Sequence, residues 1–222
     1  MKLVKTIYDI IIEALFPLSA EERELAMLAH EKAESVLPAA PLAPFQNMSA
    51  AFAYTDSRVK RLIWGTKYKK SGHATDIGGY ALYLAARRIA GETRSPTIII
   101  PLPMTPRRKR ERGFDQCESL ALALKKHDAD GQFSVRNDIL SRVKHGSRQT
   151  LKDRSGRIEG AHDIFVAQPA TGLDSGGTSG GSTDMCTIVI DDVITTGSTM
   201  REAIETLEKA GYTNVRGIAV AH

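Results

Sequence analysis

The chain has 222 residues, of which 42% are hydrophobic and 25% charged, and a formal net charge of +4. That apolar share excludes a disordered or disulfide-dependent chain and suits one large domain, or a domain with an appendage. The mild basic excess permits contact with phosphates or nucleic acid without requiring it.

Residues 1–16, "MKLVKTIYDIIIEALF", carry apolar positions at helical spacing, interrupted by Asp9 and Glu13. They predict an amphipathic helix and not a signal peptide, which needs an unbroken apolar run and a cleavage site. Residues 19–37 predict a second helix, with Ser19 and Glu22 as a capping box. "PAAPLAP" at 38–44 reads as an extended linker. This divides the chain into a helical segment with linker at 1–44 and a domain at 45–222.

Within that domain, residues 48–56 predict a short strand and residues 57–70 a basic amphipathic helix. Residues 76–91 read as a helix and 96–104 as an apolar strand closed by prolines. "PRRKRERGFDQ" reads as a basic loop and residues 117–127 as an apolar helix. Residues 134–143 are a weaker strand or loop, and the polar stretch at 144–160 a mobile loop. A strand at 161–167 precedes a Gly/Ser-rich insertion at about 168–184. A strand, a helix from about 199 to 210 stopped by Gly211, and a final strand at 215–221 complete the chain. Apolar strands alternating with helices predict an α/β fold with a mostly parallel sheet. Cys117 and Cys186 form no C-x-x-C pair, so no cysteine-built zinc site is expected. They read as reduced thiols of a cytoplasmic protein, and no stretch is long enough for a membrane span.

The chemistry concentrates in "TIVIDDVITTGST", residues 187–199. An apolar strand runs into two acids, Asp191 and Asp192. A turn of Thr195, Thr196, Gly197, Ser198 and Thr199 then opens a helix, for which Thr199 and Glu202 suggest a capping box. A helix N-terminus with a close-approach glycine and hydroxyl donors suits a phosphate. Carboxylates accept only, so they suit hydroxyl groups or a metal ion. A ribose 5-phosphate satisfies both halves. The P-loop pattern is absent.

This segment resembles the ribose-phosphate motif of type I phosphoribosyltransferases, which use phosphoribosyl pyrophosphate. The resemblance implies that Asp191 and Asp192 are the catalytic acids meeting the ribose hydroxyls. It implies Mg²⁺ at the same pair, through water or those hydroxyls, and the 5-phosphate on residues 195–199. A second cluster, "PRRKRERGFDQ", places Arg107, Arg108, Lys109, Arg110 and Arg112 before Gly113, also after a strand end. Arginines suit bidentate phosphate contact.

With the later "RQTLKDRSGRIEGAHDIF", these motifs resemble the ComF family of competence-associated phosphoribosyltransferase homologues, from about residue 50 onward. Asp115, Arg157 and His162 stand where that family has Asn, Asn and Phe, and the family's N-terminal cysteine zinc module is missing. The resemblance implies a type I phosphoribosyltransferase-like parallel sheet flanked by helices, with an N-terminal helical appendage.

It also implies a Mg²⁺-dependent glycosyltransferase of nucleoside metabolism with an unknown acceptor. The basic cluster would hold pyrophosphate and the loop with Lys144, His145, Arg148 and Arg154 would close over it. The alternative is a non-catalytic protein of the same fold in DNA uptake, binding a competence protein or single-stranded DNA. For DNA, the basic helix at 58–70 with Trp64 and Tyr68 is the candidate surface.

Overall fold

The structure is a computed structural model, and it describes residue 23 and residues 27–41, 46–68, 71–93, 96–142, 164–170 and 185–222. The expected first helix, the Ser19/Glu22 cap, the loop bearing Lys144, His145, Arg148 and Arg154, and most of the Gly/Ser insertion lie outside those residues.

A 3₁₀ turn (His30–Lys32) leads into the short helix α1 (Ala33–Val36). Then follow β1 (Met48–Phe52), α2 (Ser57–Tyr68), α3 (Gly72–Thr93), β2 (Thr97–Pro101), α4 (Pro106–Arg112) and α5 (Gln116–His127). The chain continues through β3 (Phe133–Val135), β4 (Leu140–Arg142), β5 (Phe165–Ala167), β6 (Cys186–Val193), α6 (Ser198–Lys209) and β7 (Val215–Ala221). Five strands form one sheet in the order β1-β7-β6-β2-β3, every neighbouring pair parallel. β4 and β5 form a separate antiparallel pair. The fold is therefore α/β, with a parallel five-stranded sheet flanked by helices.

Parallel strands are covered on both faces, and their sequences show it: all of β2 and the first five residues of β6 are buried. Strand alternation divides them between two cores. Ile188 and Ile190 join Ile99, Ile218 and Val220 under α2, α3 and α5. Val189 joins Ile98, Ile100 and Ala219 under α6 and the β4–β5 pair. α3 lies unusually close to α5. A Cβ on Gly79 would stand 2.4 Å from the Ala123 Cβ and 2.8 Å from its carbonyl carbon, so only glycine fits that crossing.

Several local expectations change. Residues 106–112 form a helix and not a loop: Thr105 caps it through Arg108 N, Pro106 supplies its first turn, and Gly113 ends it at φ 73°. The acid pair belongs to β6 and not to the loop beyond it, because β7 continues the ladder through Asp191↔Ala219 and Val193↔Ala221. The start of the proline-rich linker is extended as expected, and it also pairs with β1: Ala40 N donates to Ala51 O and Ala53 N to Pro38 O. Of the expected second helix, the described residues show Arg23 and Met27 in helical conformation, then a break at residues 28–29, then the 3₁₀ turn and α1 over residues 30–36. Among the described residues, no helix is long and apolar enough to cross a membrane.

Candidate functional site

The carboxyl ends of β2 and β6 open into a cavity of about 390 Å³. Ligands bind open parallel sheets at this edge, outside the carboxyl ends of the strands, where the following helices begin and present their N-termini. The cavity is lined from β6 and its turn by Asp191, Asp192, Thr195 and Thr199, and from α4 by Arg108 and Arg112. Arg142 of β4, Lys67 of α2 and Gln116 and Cys117 of α5 complete its polar wall. The two motifs picked out in the sequence therefore share one site.

Successive strand residues point to opposite faces, so the two acids meet different partners. Asp192 is buried on the α2/α5 side, where Gln116 Nε2 donates to its Oδ2 at 2.6 Å and Lys67 Nζ stands 3.1 Å from the same oxygen. Arg112 donates in turn to Gln116 Oε1, so a chain of contacts links the arginine helix to the acid pair. Asp191 is half-buried and accepts at Oδ1 from its neighbour's amide, Asp192 N, at 2.7 Å. The Cys117 thiol donates to the same oxygen at 3.4 Å. Burial, then the Asp192 charge, push the Asp191 carboxyl up to about 7. Burial and the nearby acids likewise raise the Cys117 thiol well above its ordinary value. Cys117 and Cys186 are both buried and neither is in a disulfide.

The turn has the shape of an anion cradle. Gly197 takes the left-handed conformation at φ 72° and begins α6 without a side-chain cap. The expected Thr199/Glu202 capping box does not form, since Glu202 instead accepts from Ile164 N across to β5. The first turn of α6 thus keeps amides that an anion can satisfy. Thr196 and Ser198 are exposed and bond each other through their hydroxyls at 3.0 Å, while Ser198 N reaches Thr196 Oγ1 only at 3.5 Å.

The arginine helix divides its charges. Arg108 and Arg112, one turn apart, line the cavity. Arg107 pairs with Glu111 at 2.7 Å and Lys109 with Glu118 at 2.9 Å, and these two with Arg110 stay outside the lining. Burial, then the Arg108 charge, lower the affinity of Arg142 for its proton, and both guanidiniums line the same cavity. Gly113 serves as the helix stop that turns the chain toward α5. Asp115 caps α5 by accepting from Cys117 N and Glu118 N, a role that Asn fills equally well.

Lys67, Gln116 and Arg142 were not singled out as site residues in the sequence, yet period alone carried a signal for two. Lys67 lies four residues after buried Ile63, on the inward face of α2, and Arg142 lies two after buried Leu140. Gln116 was visible only as the last letter of the arginine motif.

No protein-family model matches the sequence. The chain is similar to Competence protein F of Haemophilus influenzae, 29% identical over 140 residues, 61% of this chain and 55% of that protein. The similarity thus spans about half the length of that relative, and it supports a ComF-like relationship.

Proposed function

We propose that the cavity binds phosphoribosyl pyrophosphate, or a related ribose 5-phosphate, and that the protein is a Mg²⁺-dependent phosphoribosyltransferase of unknown acceptor. The observation that carries this reading is the meeting of three unlike chemistries around one cavity: an acid pair, an uncapped hydroxyl-rich helix start, and converging arginines. The 5-phosphate would occupy the turn at Thr195–Thr199, with amides of α6 and the Thr195 and Thr199 hydroxyls as donors. The ribose hydroxyls would donate to Asp191, with Asp192 held behind it by Lys67 and Gln116. Arg108, Arg112 and Arg142 would take the pyrophosphate, relieving their mutual repulsion.

The donor set suits Mg²⁺. Both hydrogen bonds to Asp191 end on one oxygen, Oδ1, and a carboxyl raised by burial and a like charge gains most from a nearby dication. Asp191 would hold Mg²⁺ through water or the ribose hydroxyls, and the ion's chemistry there is neutralisation of pyrophosphate charge. The remainder is positioning: the chain's residues fix the ribose and stabilise the departing pyrophosphate as positive charge develops at the sugar.

Pyrophosphate release, followed with phosphoribosyl pyrophosphate, Mg²⁺ and a panel of bases and amines, tests the enzymatic claim. Release that depends on one acceptor is the expected result. Binding without turnover across the panel favours the second reading, a non-catalytic competence module. That reading draws support from the name of the Haemophilus relative and from exposed Trp64, one helical turn after exposed Lys60 on α2. Retention of a labelled single-stranded oligonucleotide that falls on replacing Lys60 and Trp64 would favour it further.

A further inference from the structure

Away from the cavity, three metal-ligating side chains from three separate elements meet. His30 comes from the 3₁₀ turn, Asp76 from the first turns of α3, and His127 from the last residue of α5. None lines the sheet-edge cavity. Their ligand atoms all lie within 4.8 Å of one another. His30 Nδ1 is 3.0 Å from Asp76 Oδ2, and His127 Nε2 is 3.2 Å from Asp76 Oδ1. Tyr80 packs beside both imidazoles, at ring separations of 4.7 and 5.0 Å.

The other nitrogen of His30, Nε2, stands 3.2 Å from Glu31 Oε1. Both ring nitrogens of His30 therefore face carboxylate oxygens, an arrangement that a bound cation stabilises.

We propose that His30, Asp76 and His127 bind Zn²⁺, and that this ion clasps the segment around the 3₁₀ turn to α3 and α5. Two imidazoles and one carboxylate are the donor types that suit zinc; Mg²⁺ prefers oxygen ligands alone. Ligands about 2.0 Å from a tetrahedral zinc are about 3.3 Å apart, and each histidine stands near that distance from its own oxygen of Asp76, His30 from Oδ2 and His127 from Oδ1. Glu31 takes the outer position that commonly orients a zinc-bound imidazole. The side chains of His30, Asp76 and His127 are 28%, 35% and 14% exposed, so water can enter and hold the fourth position. Below this clasp, Ala33 and Leu37 are buried in the core and Glu34 pairs with Arg88 of α3 at 2.7 Å. Zinc would thus fasten the upstream end of a segment already seated downstream.

The test is a titration of the chelator-treated full chain with Zn²⁺ at about pH 7.5, read by calorimetry and native mass spectrometry. One Zn²⁺ per chain is expected, with a Tm raised by about 5 °C. His30→Gln and His127→Gln should each weaken binding at least about tenfold. The double change Asp191→Asn with Asp192→Asn should leave it unchanged, which separates this site from the acid pair. His30→Gln changes a part-exposed turn residue, and a cooperative melt checks that it folds. Should a variant fail that check, Co²⁺ in the native chain decides: strong visible absorption marks a four-coordinate site, and its absence overturns the proposal. Zinc binding equal in all variants, or lost only with the acid pair, also overturns it. So does a Tm that saturating zinc leaves unchanged.

Discussion

Asp191 and Asp192 are chain neighbours with different work. Asp192 is buried and compensated by Lys67 and Gln116, whereas Asp191 keeps a cavity-facing carboxyl raised to about 7. Folded Asp191 holds its proton more tightly than unfolded Asp191. Its contribution to stability is therefore largest at low pH and is lost as pH rises from about 4 to about 7. Asp191→Asn removes that loss. Urea unfolding at about pH 8 should show the variant more stable by on the order of 2 kcal/mol, with the gain gone near about pH 4. An equal effect at both values would contradict the raised carboxyl. Under the proposed function ligand binding should run the other way, because the ionised acid is the form that would meet Mg²⁺ and hydroxyl donors. Affinity for phosphoribosyl pyrophosphate with Mg²⁺ should rise as pH climbs through about 7, the value assigned to Asp191.

A helix where the sequence suggested a loop changes which cations matter. A mobile basic loop could turn all five charges toward a polyanion. The helix α4 sends Arg108 and Arg112 inward and leaves Arg107 paired with Glu111 outside. Arg108→Ala and Arg112→Ala should each weaken pyrophosphate binding by about tenfold, while Arg107→Ala and Arg110→Ala change it by less than about twofold. Similar losses from all four would argue for a loop-like cluster.

The helix was hard to read because its charges mask any apolar face. Its stop and start signals, Thr105-Pro106 and Gly113, were nevertheless in the sequence. Strands and long helices were legible because burial on both sheet faces writes apolar runs, as in β2 and β6. The site was legible in its two motifs and not in its links. Lys67 and Arg142 reach the cavity through tertiary packing.

At the scale of the whole molecule, the sheet edge can be precise only if α2 and α5, which carry Lys67 and Gln116, are held firmly. The close α3–α5 crossing at Gly79 supplies that support. Gly79→Val should destabilise the fold by about 3 kcal/mol through backbone overlap with α5. Gly91→Ala, at a helical position with nothing within 4 Å, should stabilise it by about 0.5–1 kcal/mol. Thermal unfolding of the two variants checks the pair, and similar shifts in both would refute the packing argument. The fold class followed from strand–helix alternation, and the structure bears it out. The separate β4–β5 pair did not follow, since three-residue strands carry too little pattern to announce their partner.

The central claim is that the acid pair, the hydroxyl turn and the inward arginines form one sugar-phosphate site. Calorimetric titration with phosphoribosyl pyrophosphate and Mg²⁺ tests it most directly, comparing the native chain with Asp191→Asn/Asp192→Asn and Arg108→Ala/Arg112→Ala. Saturable one-to-one binding by the native chain and a loss of at least about fiftyfold in each double variant are expected. Undetectable native binding at millimolar ligand, or an affinity that survives both double changes, would contradict it.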